Sequence, residues 1–223
     1  MNDIRMFDVI GPNMIGPSSS HTAGALRIAH LAGKLAPAKI SKVIFTLYGS
    51  FAWTYRGHGT DRALVGGILG FHPDDEHIRD SFRLADEQGL IYEFIENTTD
   101  KDVHPNTVDI FIQCENGSNI TLRGESVGGG NALIRKLNGI EIALSGAYST
   151  LIIHHRDVKG VLAYITTVCS SIDLNIAFMR VYRKAKGDSA YSIIEVDSPI
   201  NPSIIQVLLC NEAIIDANVV PAI

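Results

Sequence analysis

Residues 15–24, Ile15-Gly16-Pro17-Ser18-Ser19-Ser20-His21-Thr22-Ala23-Gly24, run directly into Ala25-Leu26-Arg27-Ile28-Ala29-His30-Leu31-Ala32. A stiff Gly-Pro pair, three serines, a histidine and a threonine thus precede a small-residue, apolar helical pattern. Serine is a favoured N-cap because its hydroxyl accepts from the free amides of the first turn. The junction gathers hydroxyls, an imidazole and unpaired N–H groups at the positive end of a helix, which suits a carboxylate or phosphate. Read alone, the stretch equally fits a plainer description, in which one serine caps the helix and the rest is solvated loop.

The elements outward from this junction alternate between strand and helix. The helix stops at Ala36-Pro37. Lys42 to Tyr48 is β-branched and aromatic, reads as a buried strand, and is closed by Gly49-Ser50. Phe51 to Gly70 is helical in two pieces broken at Gly57-His58-Gly59. A turn at Phe71–Asp74 leads to an amphipathic helix over Asp75–Gln88, ended by Gly89. Ile91–Ile95 alternates as a strand. Thr107–Cys114 and Asn119–Ser126 form a hairpin around Asn116-Gly117. Gly128-Gly129-Gly130 reads as a bulge or close-approach site. Ala132–Leu137 resumes as a strand and turns at Asn138-Gly139, and Ile140–Ala143 continues the pattern. A short apolar start is expected at residues 4–10.

Leu144–Ala147 is the expected domain boundary, dividing the chain into residues 1–146 and 147–223. Beyond it come a strand (Tyr148–His155), a helix (Val161–Ile172), a strand (Ile176–Tyr182), a hairpin turn at 184–188, a strand (Ala190–Val196), a helix (Pro202–Leu209) and a strand (Ile214–Val219). That is the split β-α-β-β-α-β order, a four-stranded sheet with both helices on one face. The fold class is therefore α+β, two α/β sandwich domains.

Composition narrows the partners. The 223 residues are 46% hydrophobic and 19% charged with net charge −5, which favours a globular protein without a nucleic-acid or anionic-membrane face. The start, Met1-Asn2-Asp3-Ile4-Arg5, has no apolar core behind it, so no secretory leader is expected. No apolar run nears the ~18 residues of a spanning helix. Cys114, Cys169 and Cys210 are few and scattered, as in a reducing cytoplasm, and make neither a disulfide framework nor a CxxC metal site. No metal site is expected in this chain, because adjacent strand residues such as His154-His155 point to opposite faces.

A second polar cluster, Gly57-His58-Gly59-Thr60-Asp61-Arg62, repeats the theme of the first. The glycines leave the backbone bare to an approaching ligand, Thr60 or Asp61 can cap the following helix, and a histidine can move a proton near neutral pH. A glycine-bounded turn with an incidental histidine is the alternative. His30 lies nine residues past His21, on the opposite helix face, and belongs at the core edge or surface. His72, His77 and His104 are expected on the surface.

Ile15–Gly24, Gly57–Ala63 and the Leu69-Gly70-Phe71 that follows resemble the beta chain of iron–sulfur-dependent L-serine dehydratases. The C-terminal half, with Asp157-Val158-Lys159-Gly160 in its first strand–helix loop, resembles an ACT domain of ferredoxin-like fold. The resemblance implies a heteromeric lyase that converts L-serine to pyruvate and ammonia. Its [4Fe-4S] cluster, the Lewis acid, is held by cysteines of the alpha chain, and this chain is silent without that partner. Ser18, Ser19, Ser20 and Thr22 would hold the substrate carboxylate or ammonium, with Gly59, Thr60 and Asp61 of the second loop. His21 or His58 would handle a proton.

The first domain also resembles the allosteric substrate-binding domain of some phosphoglycerate dehydrogenases, so the opening loop either completes an active site or binds serine as effector. In serine-binding ACT domains the loop resembles His-x-Asn with a later Pro-Gly. Here Asp157 replaces the asparagine and Lys159 the proline. An effector at Asp157, Val158 and Gly160 and a purely structural pairing module, self-associating through this domain, are both open. The different-class alternative is a stand-alone amino-acid sensor without lyase activity.

Overall fold

A computed structural model describes residues 13–223 of the chain; the apolar start expected at residues 4–10 lies outside the described residues. The protein is mixed α+β, with two sheets, and divides into two compact units, one ending at Gly139 and one covering Ile140–Ile223. Among the described residues no helix is long and apolar enough to cross a membrane.

In the first unit a π-type turn, Ser19–Gly24, leads straight into α1 (Ala25–Leu35). Then follow β1 (Ile40–Tyr48), α2 (Gly49–Thr54), α3 (Thr60–Ile68), a 3-10 turn (Glu76–Asp80), α4 (Ser81–Glu87), β2 (Ile91–Asn97), β3 (Thr107–Cys114), β4 (Asn119–Gly128) and β5 (Asn131–Leu137). Within this unit the strand order is β2-β1-β3-β4-β5. β1 and β2 are parallel and the other pairs antiparallel. A parallel pair needs a crossover, and α2, α3 and α4 supply it.

Register aligns the buried layer. Val43, Phe45 and Leu47 face Ile112, Ile110 and Val108 across β1–β3, and Ile112, Ile110 and Val108 face Ile120, Leu122 and Gly124 across β3–β4. All of the side chains in this layer are buried. The strand read as buried is buried on one face, and Lys42, Ile44 and Thr46 alternate outward and are only half-buried.

α1 is buried over most of its circumference, with Arg27 and Lys34 on one polar stripe. It packs on β4 and β5 and also on α3. Both approaches are closer than a side chain allows. A Cβ on Gly124 would come within 2.2 Å of Ile28 Cγ2, and one on Gly67 within 2.3 Å of the Leu26 carbonyl and 2.7 Å of Ala29 Cβ.

Gly49-Ser50 closes β1 as read and at the same time begins α2. One local expectation changes: the helix over 75–88 comes as a 3-10 turn and α4, because Asp80 leaves helical geometry between them. The turn residues 128–130 all take positive φ, with a register shift between Ser126 and Gly128, as a bulge requires. Cys114 is the last residue of β3.

The second unit contains β6 (Ile140–Leu144), β7 (Ser149–Arg156), α5 (Val161–Ser171), β8 (Ile176–Arg183), β9 (Ser189–Val196), α6 (Ile204–Leu208) and β10 (Ile214–Val220). Strands β7–β10 form an antiparallel sheet ordered β10-β7-β9-β8. From β7 onward the elements follow the expected β-α-β-β-α-β order. Leu151, Ile153, Ile194 and Val196 of the sheet share one core with Val161 and Ile165 of α5 and Ile204 and Leu208 of α6.

Because the obstacle at Gly67 is backbone, Gly67→Ala forces α1 and α3 apart. Overpacking of this kind costs about 1–3 kcal/mol. Denaturant unfolding of the variant should show a lowered midpoint, and a midpoint equal to wild type would refute the close-approach reading.

Candidate functional site

The π-type turn places His21 where three segments meet. Ser18 is the N-cap in extended geometry, and its Oγ accepts the His21 N–H at 3.2 Å. Ser18 Oγ and Ser20 Oγ lie 3.3 and 3.1 Å from His21 Nδ1, and 3.4 Å from each other. Ser19, the first residue of the turn, stands between them. On the other side of the ring, Nε2 lies 2.8 Å from Ser50 Oγ at the start of α2. Phe51 meets the imidazole edge-on at 5.4 Å between centroids.

The second loop closes on the first. Thr22 Oγ1 donates to the His58 carbonyl at 3.1 Å, and the His21 and His58 rings stand at 86° with centroids 4.9 Å apart. Thr22 is itself buried, so its hydroxyl ties one loop to the other. The two polar clusters that the sequence separates by 36 residues therefore share one site. Ser50 and Phe51 belong to it too. In the sequence Ser50 marked only the close of a strand and Phe51 only the start of a helix, and neither pointed to this site.

The helix start after His58 departs from expectation. The N-cap of α3 is Gly59, at φ +69°, with no side-chain cap. The turn already gives the Thr60 N–H to the Tyr55 carbonyl at 2.9 Å, which leaves no need for a cap from Thr60 or Asp61. Asp61 Oδ1 instead accepts the Arg62 N–H at 2.8 Å, and burial pushes the Asp61 carboxyl above the usual carboxylate value against the pull of Arg62. Thr60 Oγ1 and His58 Nδ1 are buried without a hydrogen-bond partner. Such orphans are uncommon in folded proteins and call for an explanation.

Burial, and then the neighbouring His58, hold His21 below the ordinary histidine value. The ring is therefore neutral at pH 7 and carries one N–H and one lone pair. Hydroxyls donate or accept, so the serines on both sides serve either tautomer. The cluster offers hydroxyls that donate or accept and an imidazole lone pair that can take a proton.

His30 stands apart from this cluster. It is buried and its Nδ1 lies 3.1 Å from the Phe71 carbonyl, an acceptor, so Nδ1 donates. His72, His77 and His104 are exposed. On the face of the sheet away from α1, a cavity of about 240 Å³ is lined by residues including Thr46, Asp109, Phe111, Arg123 and Lys136. Its guanidinium is already gripped by both Asp109 oxygens, at 2.6 and 2.7 Å, and lies 3.4 Å from the Tyr48 hydroxyl.

In the second unit Asp157 turns inward on its own chain. Its Oδ2 accepts the Gly187 N–H at 3.0 Å and its Oδ1 pairs with Arg183 at 3.4 Å, tying the β7–α5 loop to the β8–β9 hairpin. Val158 is exposed, and Gly160 caps α5 at φ +86°. His154 stacks on Tyr191, while His155 is buried between the Arg156 carbonyl and Ser192 Oγ, so the two point to opposite faces.

Cys114 is buried in β3, Cys169 buried in α5 and Cys210 exposed. Among the described residues no group of three His, Cys, Asp or Glu is placed to hold a metal ion. Converging thiolates are what an iron–sulfur cluster needs, and the three cysteines, all among the described residues, do not converge.

The sequence model of the family described as "Serine dehydratase beta chain" matches residues 5–136. The chain is 41% identical over 209 residues to the "L-serine dehydratase, beta chain" of Peptoniphilus asaccharolyticus, covering 94% of each. It is 44% identical over 204 residues to the "Probable L-serine dehydratase, beta chain" of Bacillus subtilis (strain 168), covering 91% of each. A shorter match, 39% over 77 residues, spans 32% of this chain and 17% of "L-serine dehydratase TdcG" of Escherichia coli (strain K12).

Burial lowers His21, His30 and His154 alike. A histidine whose folded value is below its unfolded value takes up its proton more readily when unfolded, so acid favours unfolding. The melting temperature should hold steady above pH ~7 and fall as pH drops below the ordinary value of ~6.5. A melting temperature that rises over that interval would contradict these assignments.

Proposed function

The chain belongs to the serine dehydratase beta chain family, and on that premise we propose that it is a subunit of L-serine dehydratase whose Ser18–Thr22 and His58–Asp61 loops complete the active site on an alpha chain. The observation that carries this reading is His21, neutral and held between Ser18, Ser20 and Ser50, with His58 Nδ1 unpartnered beside it.

The overall reaction takes L-serine to pyruvate and ammonia. It removes the Cα proton and the Cβ hydroxyl as water, and the resulting enamine tautomerises to an imine that takes up one water on hydrolysis and releases ammonia. This chain's part is to hold the substrate and a proton. Ser18, Ser19 and Ser20 supply hydroxyls to the carboxylate or ammonium. Gly59 leaves the backbone open, with no heavy atom within 4 Å of where a Cβ would sit. His21, kept neutral by burial, has a lone pair to accept a proton, and His58 stands against it.

A [4Fe-4S] cluster, the cofactor of this reading, belongs on the alpha chain, where it would supply a Lewis acid toward the substrate hydroxyl. Residues 147–223 serve as an ACT-type regulatory module through which copies associate. The inward tie of Asp157 favours a pairing role for that module over effector capture at Asp157–Gly160. The two-domain division at 146/147 is part of the same reading.

The chain purified with its cognate alpha chain should form pyruvate from L-serine, whereas neither chain should do so alone. In the two-chain enzyme His21→Ala should reduce kcat by roughly 10²–10⁴-fold, the range for a positioned proton-transfer group, without changing the melting temperature by more than a few degrees. No complex with the alpha chain, or wild-type turnover by His21→Ala, would overturn the reading.

A further inference from the structure

We propose that Ser50 is a positioning residue of this site, holding Nε2 of His21 so that the imidazole keeps one orientation and presents Nδ1 to the Ser18–Ser20 hydroxyls. The inference rests on the active-site reading above. Its basis is how Gly49, Ser50 and Phe51 act in succession on one ring.

Gly49 takes φ +49°, and a Cβ there would lie 2.7 Å from the Pro105 carbonyl oxygen. Only glycine lets β1 turn directly into α2 against that backbone. The Phe51 N–H then donates to the same Pro105 carbonyl at 3.3 Å, which anchors the helix start. Between these two fixed points Ser50 has little freedom, and its Oγ arrives 2.8 Å from Nε2 of a residue 29 positions earlier. That is the shortest of the three hydroxyl contacts to the ring; the two on Nδ1 are 3.1 and 3.3 Å.

The contacts on Nδ1 come from the serine run, within three positions of His21 itself. The contact on Nε2 comes from a different element, seated by main-chain bonds. A substrate that displaces the local hydroxyls from Nδ1 would leave the Ser50 contact in place. Histidines that work on substrates or metals commonly have the far nitrogen held this way, and removing the holder typically costs 10–100-fold. With Phe51 edge-on and His58 across the ring, Ser50 is the polar group that decides the rotation of the imidazole about its own plane.

The test uses the two-chain enzyme with Ser50→Ala, Ser50→Thr and Ser50→Cys, and His21→Ala as control, read as pH profiles of kcat and KM. In parallel, the full chain labelled in its histidine nitrogens is titrated by NMR. Ser50→Ala should lower kcat roughly 10–100-fold, leave KM within about threefold, shift the acid limb of the profile, and move the Nε2 resonance of His21. Ser50→Thr, which keeps the hydroxyl, should recover most of the loss. Should Ser50→Ala fail to fold, the near-isosteric Ser50→Cys, a weak donor and acceptor, should show the same pattern.

Loss of melting temperature with an unmoved limb and unmoved His21 resonance would reduce Ser50 to a structural residue and overturn the proposal. So would wild-type kcat in folded Ser50→Ala or Ser50→Cys. The control separates the causes. If His21→Ala is inactive, Ser50's role alone has failed; if His21→Ala is fully active, the active-site reading has failed with it.

Discussion

The backbone-to-backbone approach of α1 and α3 at Gly67 is the constraint on which the first unit turns. Each helix begins at one of the two polar loops. Holding the helices closer than any Cβ permits brings those loops into contact, and the Thr22 hydroxyl then bonds the His58 carbonyl. A second glycine, Gly124 on β4, lets α1 settle equally closely on the sheet against Ile28. Small residues along α1 therefore serve geometry more than hydrophobic area, since Ala and Gly bury little but allow short separations. The pair of imidazoles at 4.9 Å is the end product of that packing.

What gathers at the meeting point is polar yet poor in formal charge. Hydroxyls from Ser18, Ser20 and Ser50 surround a histidine whose own burial keeps it neutral. A neutral imidazole keeps a lone pair free for a proton near pH 7. The same low polarity raises Asp61, so burial weakens the acid and the base in the same direction, toward their uncharged forms. A π-type turn at the head of α1 fits this setting, because such widened turns recur at functional sites. The second unit follows a different logic. Its one distinctive carboxylate, Asp157, is occupied by Gly187 and Arg183, and its core is a conventional two-helix, one-sheet layer.

The periodic elements and the turn chemistry were legible in the chain. β-branched and aromatic content marked β1, alternation marked β2, and Asn116-Gly117 marked the hairpin of β3 and β4. Gly49-Ser50 ends β1 as read, and glycine at φ +49° carries the chain straight into α2. Failures came where backbone geometry overrode a local pattern. The helix read over Asp75–Gln88 came in two pieces because Asp80 leaves helical geometry. Thr60 and Asp61 were plausible caps, but the chain's path had already given the Thr60 amide to Tyr55.

The sequence by itself determined that a Gly/Ser-rich loop with His21 opens one helix, that a second with His58 opens another, and that no set of clustered cysteines accompanies them. These are local properties, carried by residue type and spacing along a few turns of chain. Only the tertiary structure decided that the two histidines share a site, that Thr22 is a tie between loops, and that Ser50 holds the far nitrogen of His21. The physical reason is that contact across 29 or 36 residues depends on how closely two helices and a strand end can approach. That distance is set by the absence of side chains at Gly67, Gly124 and Gly49, which no periodicity along the chain reveals.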